Sequence, residues 1–217
     1  MKNLLSNLRF ILIVFLLVWL ILLFVLVIWT KAEIHLYVNQ YHNHLSDAFF
    51  KYITNLGDGL MPAVLLLIFL FISFRKAFAI GLSGALAGIV SQVLKRLVFK
   101  NIPRPKSFFK DLAELYFVPG VDVHSSYSFP SGHSATAFTL FLVLAYYSKS
   151  GPMQLLYLFL ALAVGYSRIY LSQHFLIDVY FGALIGIISA FVIIMLIDKS
   201  KAKWLDSSIT KIIRKKA

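Results

Sequence analysis

The chain contains no cysteine in its 217 residues, and charged residues make up only 14% of it. Without cysteine it can form neither a disulfide framework nor a thiolate metal site. Hydrophobic residues make up 60%, and the mean hydropathy is +0.83. A soluble domain of this size cannot bury that much apolar surface. The composition therefore indicates a protein that crosses the membrane several times.

Acidic residues are also scarce, because nine Asp and Glu stand against 21 Lys and Arg, which gives a net charge of +12. An excess of this size can indicate a nucleic-acid partner. Here apolar runs separate the basic residues, which form no single soluble patch, so we expect no nucleic-acid binding. The lipid bilayer is the expected partner, and the sequence predicts no particular oligomeric state.

Six apolar segments predict membrane-spanning helices, each of which needs about 20 residues to cross the hydrocarbon core. The first exceeds the core of a signal peptide, about 7–15 residues, and a poor cleavage site follows it, so we expect it to be retained. The predicted fold class is all-α, an integral membrane bundle of six transmembrane helices in one domain over residues 1–217. The predicted spans are residues 10–29, 59–74, 77–94, 131–147, 155–170 and 179–197.

Charge predicts the orientation of this bundle in the cell membrane. Six spans place both termini on one side, which carries 12 of the 21 basic residues and two of the nine acids. Lys and Arg favour the cytoplasm, so we expect cytoplasmic termini, a basic cytoplasmic tail over residues 199–217, and segments 31–58, 99–130 and 171–178 facing the periplasm or exterior. The basic residues counted inside are Lys2, Arg9, Arg75, Lys76, Lys149, Lys199, Lys201, Lys203, Lys211, Arg214, Lys215 and Lys216.

Polar and charged residues interrupt the apolar pattern in three segments at the outward ends of spans three to six. Topology alone brings these ends together, and ionisable residues at membrane depth are functional candidates because burying them is costly. We therefore expect one extracytoplasmic site built from all three segments. They contain Lys95 with Arg104-Pro105, then Pro130-Ser131-Gly132-His133, and then Arg168, His174 and Asp178.

His174 and Asp178 are four residues apart, a spacing that places both on one face of a helix. A carboxylate in this position holds the imidazole in one tautomer and leaves the other nitrogen free to attack or to accept a proton. His133 offers a second group for acid–base chemistry. These three residues are therefore the candidate catalytic groups.

Lys95, Arg104 and Arg168 concentrate positive charge in the same segments, and the fork of donors on arginine suits a phosphate group. Ser131 and Gly132 stand at the expected start of a helix, where free N–H groups and the helix dipole favour an anion. The sequence therefore predicts a phosphate site.

A metal site is the alternative for this cluster. Zinc binds ligands such as His133, His174 and Asp178, with His124 as a possible fourth. The three neighbouring cations oppose a metal ion and favour an anion. We therefore expect no metal and no cofactor.

Together the three segments resemble the type 2 phosphatidic acid phosphatase (PAP2) superfamily of membrane lipid phosphatases. The pattern of that family is Lys, six residues and Arg-Pro, then Pro-Ser-Gly-His, then Ser-Arg, five residues, His, three residues and Asp. The second and third motifs match without gaps. The first departs, because the family position of Lys falls on Leu97. We favour Lys95, which closes the third span, over Lys100.

The resemblance implies a metal-independent phosphatase with a phosphohistidine intermediate. His174 would attack phosphorus, Asp178 would orient it, and His133 would protonate the leaving oxygen and later activate water. The remaining residues would hold the phosphate and the charge that develops on it. They are Lys95, Arg104, Ser131, Gly132 and Arg168.

The outward site and its apolar surroundings favour a membrane lipid phosphate as substrate, dephosphorylated at the outer leaflet. The family implies a polyprenyl pyrophosphate, phosphatidylglycerol phosphate, phosphatidic acid or lipid A phosphate. Two alternatives stay open. One is a lipid phosphotransferase that uses the same site, and the other is a transporter that binds the lipid phosphate without hydrolysis. The absence of an inverted repeat weakens the transporter.

The sequence makes three further predictions about the outward-facing segments. The long connection over residues 99–130 carries aromatic residues, including Phe108, Phe109 and Tyr116, and is expected to contact the lipid head group or to gate access. An amphipathic helix near residues 45–56 is expected without a chemical role. The remaining histidines, His35, His42, His44 and His124, are expected at the membrane interface.

Overall fold

The computed structural model of the protein describes residues 2–148 and 150–216, and within them it contains helices and no strand. Lys149, one of the basic residues counted on the cytoplasmic side, lies outside this part, as do the side chains of Lys2 and Lys216. Turns of 3-10 helix cover Thr54–Gly57 and Lys203–Asp206, and a π-helical turn covers Leu94–Val98. The helices are α1 (Lys2–Ile28), α2 (Lys31–Asn39), α3 (His44–Ile53), α4 (Leu60–Leu70), α5 (Phe74–Val93), α6 (Pro105–Phe108), α7 (Gly132–Ser148), α8 (Gly151–Tyr170), α9 (Leu176–Lys199) and α10 (Ile209–Lys216).

The all-helical membrane architecture is confirmed, whereas the count of six spans stays a prediction. Every predicted span overlaps a helix, and four helical segments are long and apolar enough to cross a membrane. The pair His44–Gly57 and Leu60–Leu70, bent by 61°, makes a fifth if it is a single span. The second predicted span is shorter than expected, because α4 has only 11 residues, and α7 has 17.

Helix α7 forms the centre of the bundle, and 12 of its 17 residues are buried between α5, α8 and α9. Small residues allow this close packing. A side chain at Gly182 of α9 would place its Cβ 2.5 Å from the carbonyl oxygen of Ser131, a distance that only glycine avoids. The first turns of α7 and α9 are thereby held against each other, which brings the second and third motifs together.

Helix α1 lies at the periphery, against α8 and α9. Its apolar side chains are largely exposed, including Leu17, Phe24 and Val27. In a membrane such a surface contacts lipid, so the exposed apolar residues need no protein partner.

The motifs and the chain termini lie at opposite ends of the bundle. Helices α5 and α8 end, and α7 and α9 begin, at the motif end. At the other end the tail folds back onto the α4–α5 turn, where Arg75 Nε donates to Asp206 Oδ1 at 2.8 Å and Arg75 Nη1 donates to the carbonyl oxygen of Ile197 at 2.6 Å. The tail then forms α10, which leaves Ile212 and Ile213 exposed.

Candidate active site

The His174–Asp178 pair lies at the junction of α8 and α9. The spacing predicts that His174 lies on a helix, but it lies in the loop before α9. Its backbone N–H donates to the carbonyl oxygen of Arg168 at 3.0 Å. His174 Nδ1 lies 3.3 Å from Asp178 Oδ2, which also accepts hydrogen bonds from the Ser128 hydroxyl and, at 3.0 Å, from the backbone N–H of Phe175. This leaves Nε2 of His174 available on the cavity side.

The environment of His174 favours its neutral form. The residue is only 1% exposed, and burial, followed by the positive charges of Arg104, Arg168 and Lys95, holds the pKa of its imidazole well below the usual value of 6.5. A neutral imidazole has a free lone pair, which a nucleophile or a base requires.

Two arginines are fixed beside the histidine by hydrogen bonds to neighbouring groups. Arg104 donates from Nε to the carbonyl oxygen of Ser126 at 2.9 Å and from Nη1 to Gln173 Oε1 at 3.0 Å. Arg168 donates from Nη1 to Thr54 Oγ1 at 2.6 Å, and its buried Nε has no partner among the described residues. An unpartnered guanidinium N–H in a buried position is available to an anionic ligand.

Lys95, and not Lys100, lies at the cavity. Lys95 is 7% exposed and lines it, whereas Lys100 is exposed in the following turn. Eight residues separate Lys95 from Arg104, where the family has six. The π-helical turn Leu94–Val98 accommodates one extra residue within a helix and so accounts for one of these two.

The second motif divides into two roles. Gly132 and His133 line the cavity in the first turn of α7, where a Cβ on Gly132 would meet open space. Ser131 lies behind them and is fully buried. The Ser131 hydroxyl accepts hydrogen bonds from the backbone N–H of Ser134 at 3.3 Å and from the Ser134 hydroxyl. The backbone N–H of Ser131 donates to the carbonyl oxygen of Asp178. Ser131 thus acts as a helix cap beside the residues that line the cavity, and its contact with phosphate stays a prediction.

Most of these side chains surround one cavity of about 510 Å³. Six of the eight predicted site residues line it, and Asp178 and Ser131 stand directly behind its wall. In the described part of the chain no group of three or more His, Asp or Glu residues is placed to hold a metal ion. The predicted residues on the wall are Lys95, Arg104, Gly132, His133, Arg168 and His174.

Three supporting residues were missed by the sequence reasoning. Thr54 holds Arg168, Gln173 holds Arg104, and Ser128 holds Asp178. Gln173 precedes His174 directly, which is the one signal that could have indicated it. Thr54 follows α3, the amphipathic helix expected near residues 45–56, and Lys51 and Tyr52 of that helix line the cavity. The prediction that the helix has no chemical role stays a prediction.

Two outer histidines are packed more deeply than an interfacial position implies. His35 is 1% exposed, stacks on Phe109, and has its Nε2 3.2 Å from Ser172 Oγ. Burial lowers the pKa of His35 to about 4. His42 lies between the rings of Tyr116 and Tyr170. These contacts hold α2 and the turn after it against the long connection over residues 99–130 and against the end of α8 and the loop that follows it. His124, in contrast, lines the cavity.

The long connection over residues 99–130 is mostly a structural layer. Phe109 and Leu115 pack with Phe175 in a small core, and Phe108 lies against it. Phe109 is buried in this core, whereas Phe108 is half-buried. Tyr116, Phe117 and Tyr127 are between 37% and 44% exposed, and the Tyr116 hydroxyl donates to Asp47 Oδ2 at 2.9 Å. Contact of this connection with the lipid head group stays a prediction.

Comparison with known proteins gives a family match and several relatives. The family model described as the PAP2 superfamily matches residues 76–202. Phosphatidylglycerophosphatase B of Bacillus subtilis (strain 168) is 30% identical over 152 residues, which are 65% of this chain and 70% of the relative. The bacitracin transport permease protein BcrC of Bacillus licheniformis is 45% identical over 64 residues, so the match spans only 30% of that relative and 29% of this chain.

Two solved structures have a similar fold. LpxE of Aquifex aeolicus gives a TM-score of 0.66 at 30% identity, over 76% of this chain and 94% of that protein. A transmembrane PAP2 type phosphatidylglycerolphosphate phosphatase from Bacillus subtilis gives a TM-score of 0.62 at 24% identity, over 93% of this chain and 99% of that protein. At that identity the second likeness concerns the fold alone.

Proposed function

This chain belongs to the PAP2 superfamily, and we propose that it is a membrane phosphatase that removes phosphate from a lipid phosphate or pyrophosphate. The observation that carries the proposal is the buried His174, held by Asp178 on a cavity wall that also presents Lys95, Arg104 and Arg168. A nucleophile surrounded by cations suits an anionic phosphoryl group, whose own negative charge otherwise repels attack.

In the first step, Nε2 of His174 attacks phosphorus, and a P–N bond forms while the bond from phosphorus to the lipid oxygen breaks. His133 donates a proton to that oxygen, so the lipid leaves as a neutral alcohol or as a lipid monophosphate. Asp178 accepts from Nδ1–H of His174 and stabilises the positive charge that develops on the ring.

In the second step, His133 takes a proton from water, and the oxygen of that water attacks phosphorus. The P–N bond breaks, inorganic phosphate leaves and the neutral His174 is restored. Lys95, Arg104, Arg168 and the N–H groups of the first turn of α7 hold the phosphoryl oxygens throughout. These steps need only residues of this chain, so we propose that no metal takes part.

We propose that the enzyme acts at the outer leaflet of the cell membrane, with six spans in a single domain and both termini in the cytoplasm. The excess of basic residues at the end that carries the termini supports this orientation. The candidate substrates are a polyprenyl pyrophosphate, phosphatidylglycerol phosphate, phosphatidic acid and lipid A phosphate. A polyprenyl or diacyl chain would remain in the bilayer while its phosphate enters the cavity.

A transporter of lipid phosphates is the second candidate, favoured by the segment that resembles a bacitracin transport permease. Transport requires a phosphate-binding cavity but no histidine oriented for attack. The hydrogen bond between His174 and Asp178 therefore favours hydrolysis over transport.

The test is phosphate release by the purified protein from a panel of the four lipid classes in mixed micelles, with EDTA present. We expect release from at least one lipid by the wild type and none by His174→Asn. Chromatography of the lipid products distinguishes hydrolysis from phosphotransfer, which would give a newly phosphorylated lipid. Binding of these lipids without any loss of phosphate would support the transporter and contradict the proposal.

A further inference from the structure

The cavity extends beyond the residues that the proposed reaction uses. Its inner end is formed by Lys95, Arg104, His133, Arg168 and His174. Its mouth is formed by side chains from α3, the turn after it and the outer connection, namely Lys51, Tyr52, Asn55, Gly120 and His124. A volume of about 510 Å³ is much more than one phosphoryl group fills, so the mouth is available to a second part of the substrate.

Lys51 is the cation of this mouth. Its Nζ donates to the carbonyl oxygen of Pro119 at 3.0 Å, and among the described residues no carboxylate forms an ion pair with it. Asp47, one helical turn before it, instead accepts hydrogen bonds from Tyr116 and Tyr170 and lies 3.0 Å from His42 Nδ1. The positive charge of Lys51 therefore stays without a neutralising partner.

The outer connection is shaped around this ammonium group. Gly120 has a φ of +72°, and a Cβ added there would lie 2.6 Å from Lys51 Nζ. A side chain at this position would strain the backbone and displace the ammonium group. Asp122, which also lines the cavity, uses its carbonyl oxygen to accept from Gln173, the residue that holds Arg104. The outer connection thus contacts Lys51 through Pro119 and, through Asp122, the residue that holds Arg104.

We propose that Lys51 binds a second phosphate group of the substrate and so favours lipids with two phosphates over lipids with one. This inference rests on the proposed function, in which the inner end binds the phosphoryl group that is transferred. The second phosphate is either the inner phosphate of a pyrophosphate or a phosphodiester joined through glycerol. Both present a non-transferred anion next to the reacting phosphoryl group, and Lys51 lines the cavity that the inner end shares.

The two sources differ in the bond that breaks. With a pyrophosphate, the distal phosphoryl group moves to His174, the bridging oxygen stays on the lipid monophosphate, and Lys51 stabilises the charge left on that product. With a glycerol-linked diphosphate, the terminal phosphoryl group moves, the glycerol oxygen leaves with a proton, and the phosphodiester on Lys51 is unchanged. In both cases water later takes the phosphoryl group from His174.

A binding experiment tests the inference without turnover. In a His174→Asn background, methylenebisphosphonate is titrated against methylphosphonate by calorimetry. We expect Lys51→Gln to weaken bisphosphonate binding about tenfold relative to methylphosphonate, since one charged hydrogen bond is lost, and Lys51→Arg to restore most of the preference. Lys110→Gln, which removes an exposed lysine away from the cavity, is the matched control and should change neither affinity.

A turnover experiment identifies the source of the second phosphate. The ratio of kcat/KM values is measured for farnesyl pyrophosphate over farnesyl phosphate, and for phosphatidylglycerol phosphate over phosphatidic acid. A fall of about tenfold in the first ratio in Lys51→Gln assigns a pyrophosphate, and a fall in the second assigns a glycerol-linked phosphate. Equal losses for both phosphonates in the binding experiment, or no loss, would overturn the inference even if the wild type is an active phosphatase. A wild type that releases no phosphate would refute the proposed function, while the binding experiment would still decide the role of Lys51.

Discussion

The inner end of the cavity and its mouth carry the same kind of charge in different settings. At the inner end, Lys95, Arg104 and Arg168 are between 6% and 8% exposed, and neighbouring oxygens hold both arginines. At the mouth, Lys51 is partly exposed and is held by a single carbonyl oxygen. Donors fixed in a water-excluded position interact strongly with developing charge, whereas exposed donors contribute less. On this difference we propose that the inner end carries out the chemistry and the mouth selects among substrates.

The largest expected effect comes from the histidine at the inner end. His174→Asn should lower kcat by a factor of about 10³ or more, because no other described residue is placed as a nucleophile beside Asp178. The measurement is phosphate release under saturating lipid, with size-exclusion chromatography to verify folding. If the variant kept more than a tenth of the wild-type rate, the distinction between inner end and mouth would lose its basis.

Much of the inner end could be predicted from the sequence, because its residues are chemically unusual where they occur. Arg168, His174 and Asp178 are ionisable residues inside apolar runs, and Arg104 and His133 belong to motifs with fixed spacing. Helix ends in a bundle are limited to two faces, so the order of spans was enough to bring the motifs together.

The supporting contacts could not be predicted in the same way. Thr54 and Arg168 are 114 residues apart, Gln173 and Arg104 are 69 apart, and Ser128 and Asp178 are 50 apart. Thr, Gln and Ser are ordinary in loops, so nothing local marks them. Burial of His35 likewise depends on how α2 packs against Phe109, and the short α4 depends on where the chain bends after Gly57.

A second prediction concerns His35, which packs against Phe109 of the outer connection. His35 has a pKa of about 4 when folded and about 6.5 when unfolded, so the unfolded chain takes up a proton first and stability is lost as the pH falls below 6.5. Between pH 7.5 and 5.0 this group should remove about 2 kcal/mol of the free energy of unfolding. Denaturant titration in detergent at both pH values should show a smaller loss for His35→Gln. Equal losses for the two proteins would mean that His35 is not the responsible group.

Loss of the contact that positions Arg168 should have a smaller effect, confined to the inner end of the cavity. Thr54→Val removes the hydroxyl that accepts from Nη1 and should lower kcat/KM about tenfold, since a hydrogen bond to a charged group contributes roughly 1.5 kcal/mol. Thr210→Val is the matched control, because this threonine donates to the carbonyl oxygen of Phe71 at the opposite end of the bundle. Similar losses in the two variants would indicate a general effect on stability.

The smallest expected effect is the pH dependence of the wild type. A base that must be unprotonated loses activity as the pH falls through its pKa, and the lowered pKa of His174 moves this loss below pH 6.5. The value of kcat/KM should therefore fall less than twofold between pH 7.5 and 6.5. Arg104→Gln removes a positive charge that lowers this pKa, so its acidic limb should lie at higher pH than that of the wild type. An acidic limb in the same place for both would contradict the electrostatic account of the inner end.

The most direct test of the central claim is to trap the phosphorylated histidine. The purified protein is mixed with a lipid substrate that carries ³²P in its terminal phosphate, quenched in base within one turnover and digested with protease. We predict an acid-labile, base-stable label on the peptide that contains His174 in the wild type, and no label in His174→Asn. Rapid phosphate release by the wild type with no labelled histidine, or with the label on His133, would contradict the account.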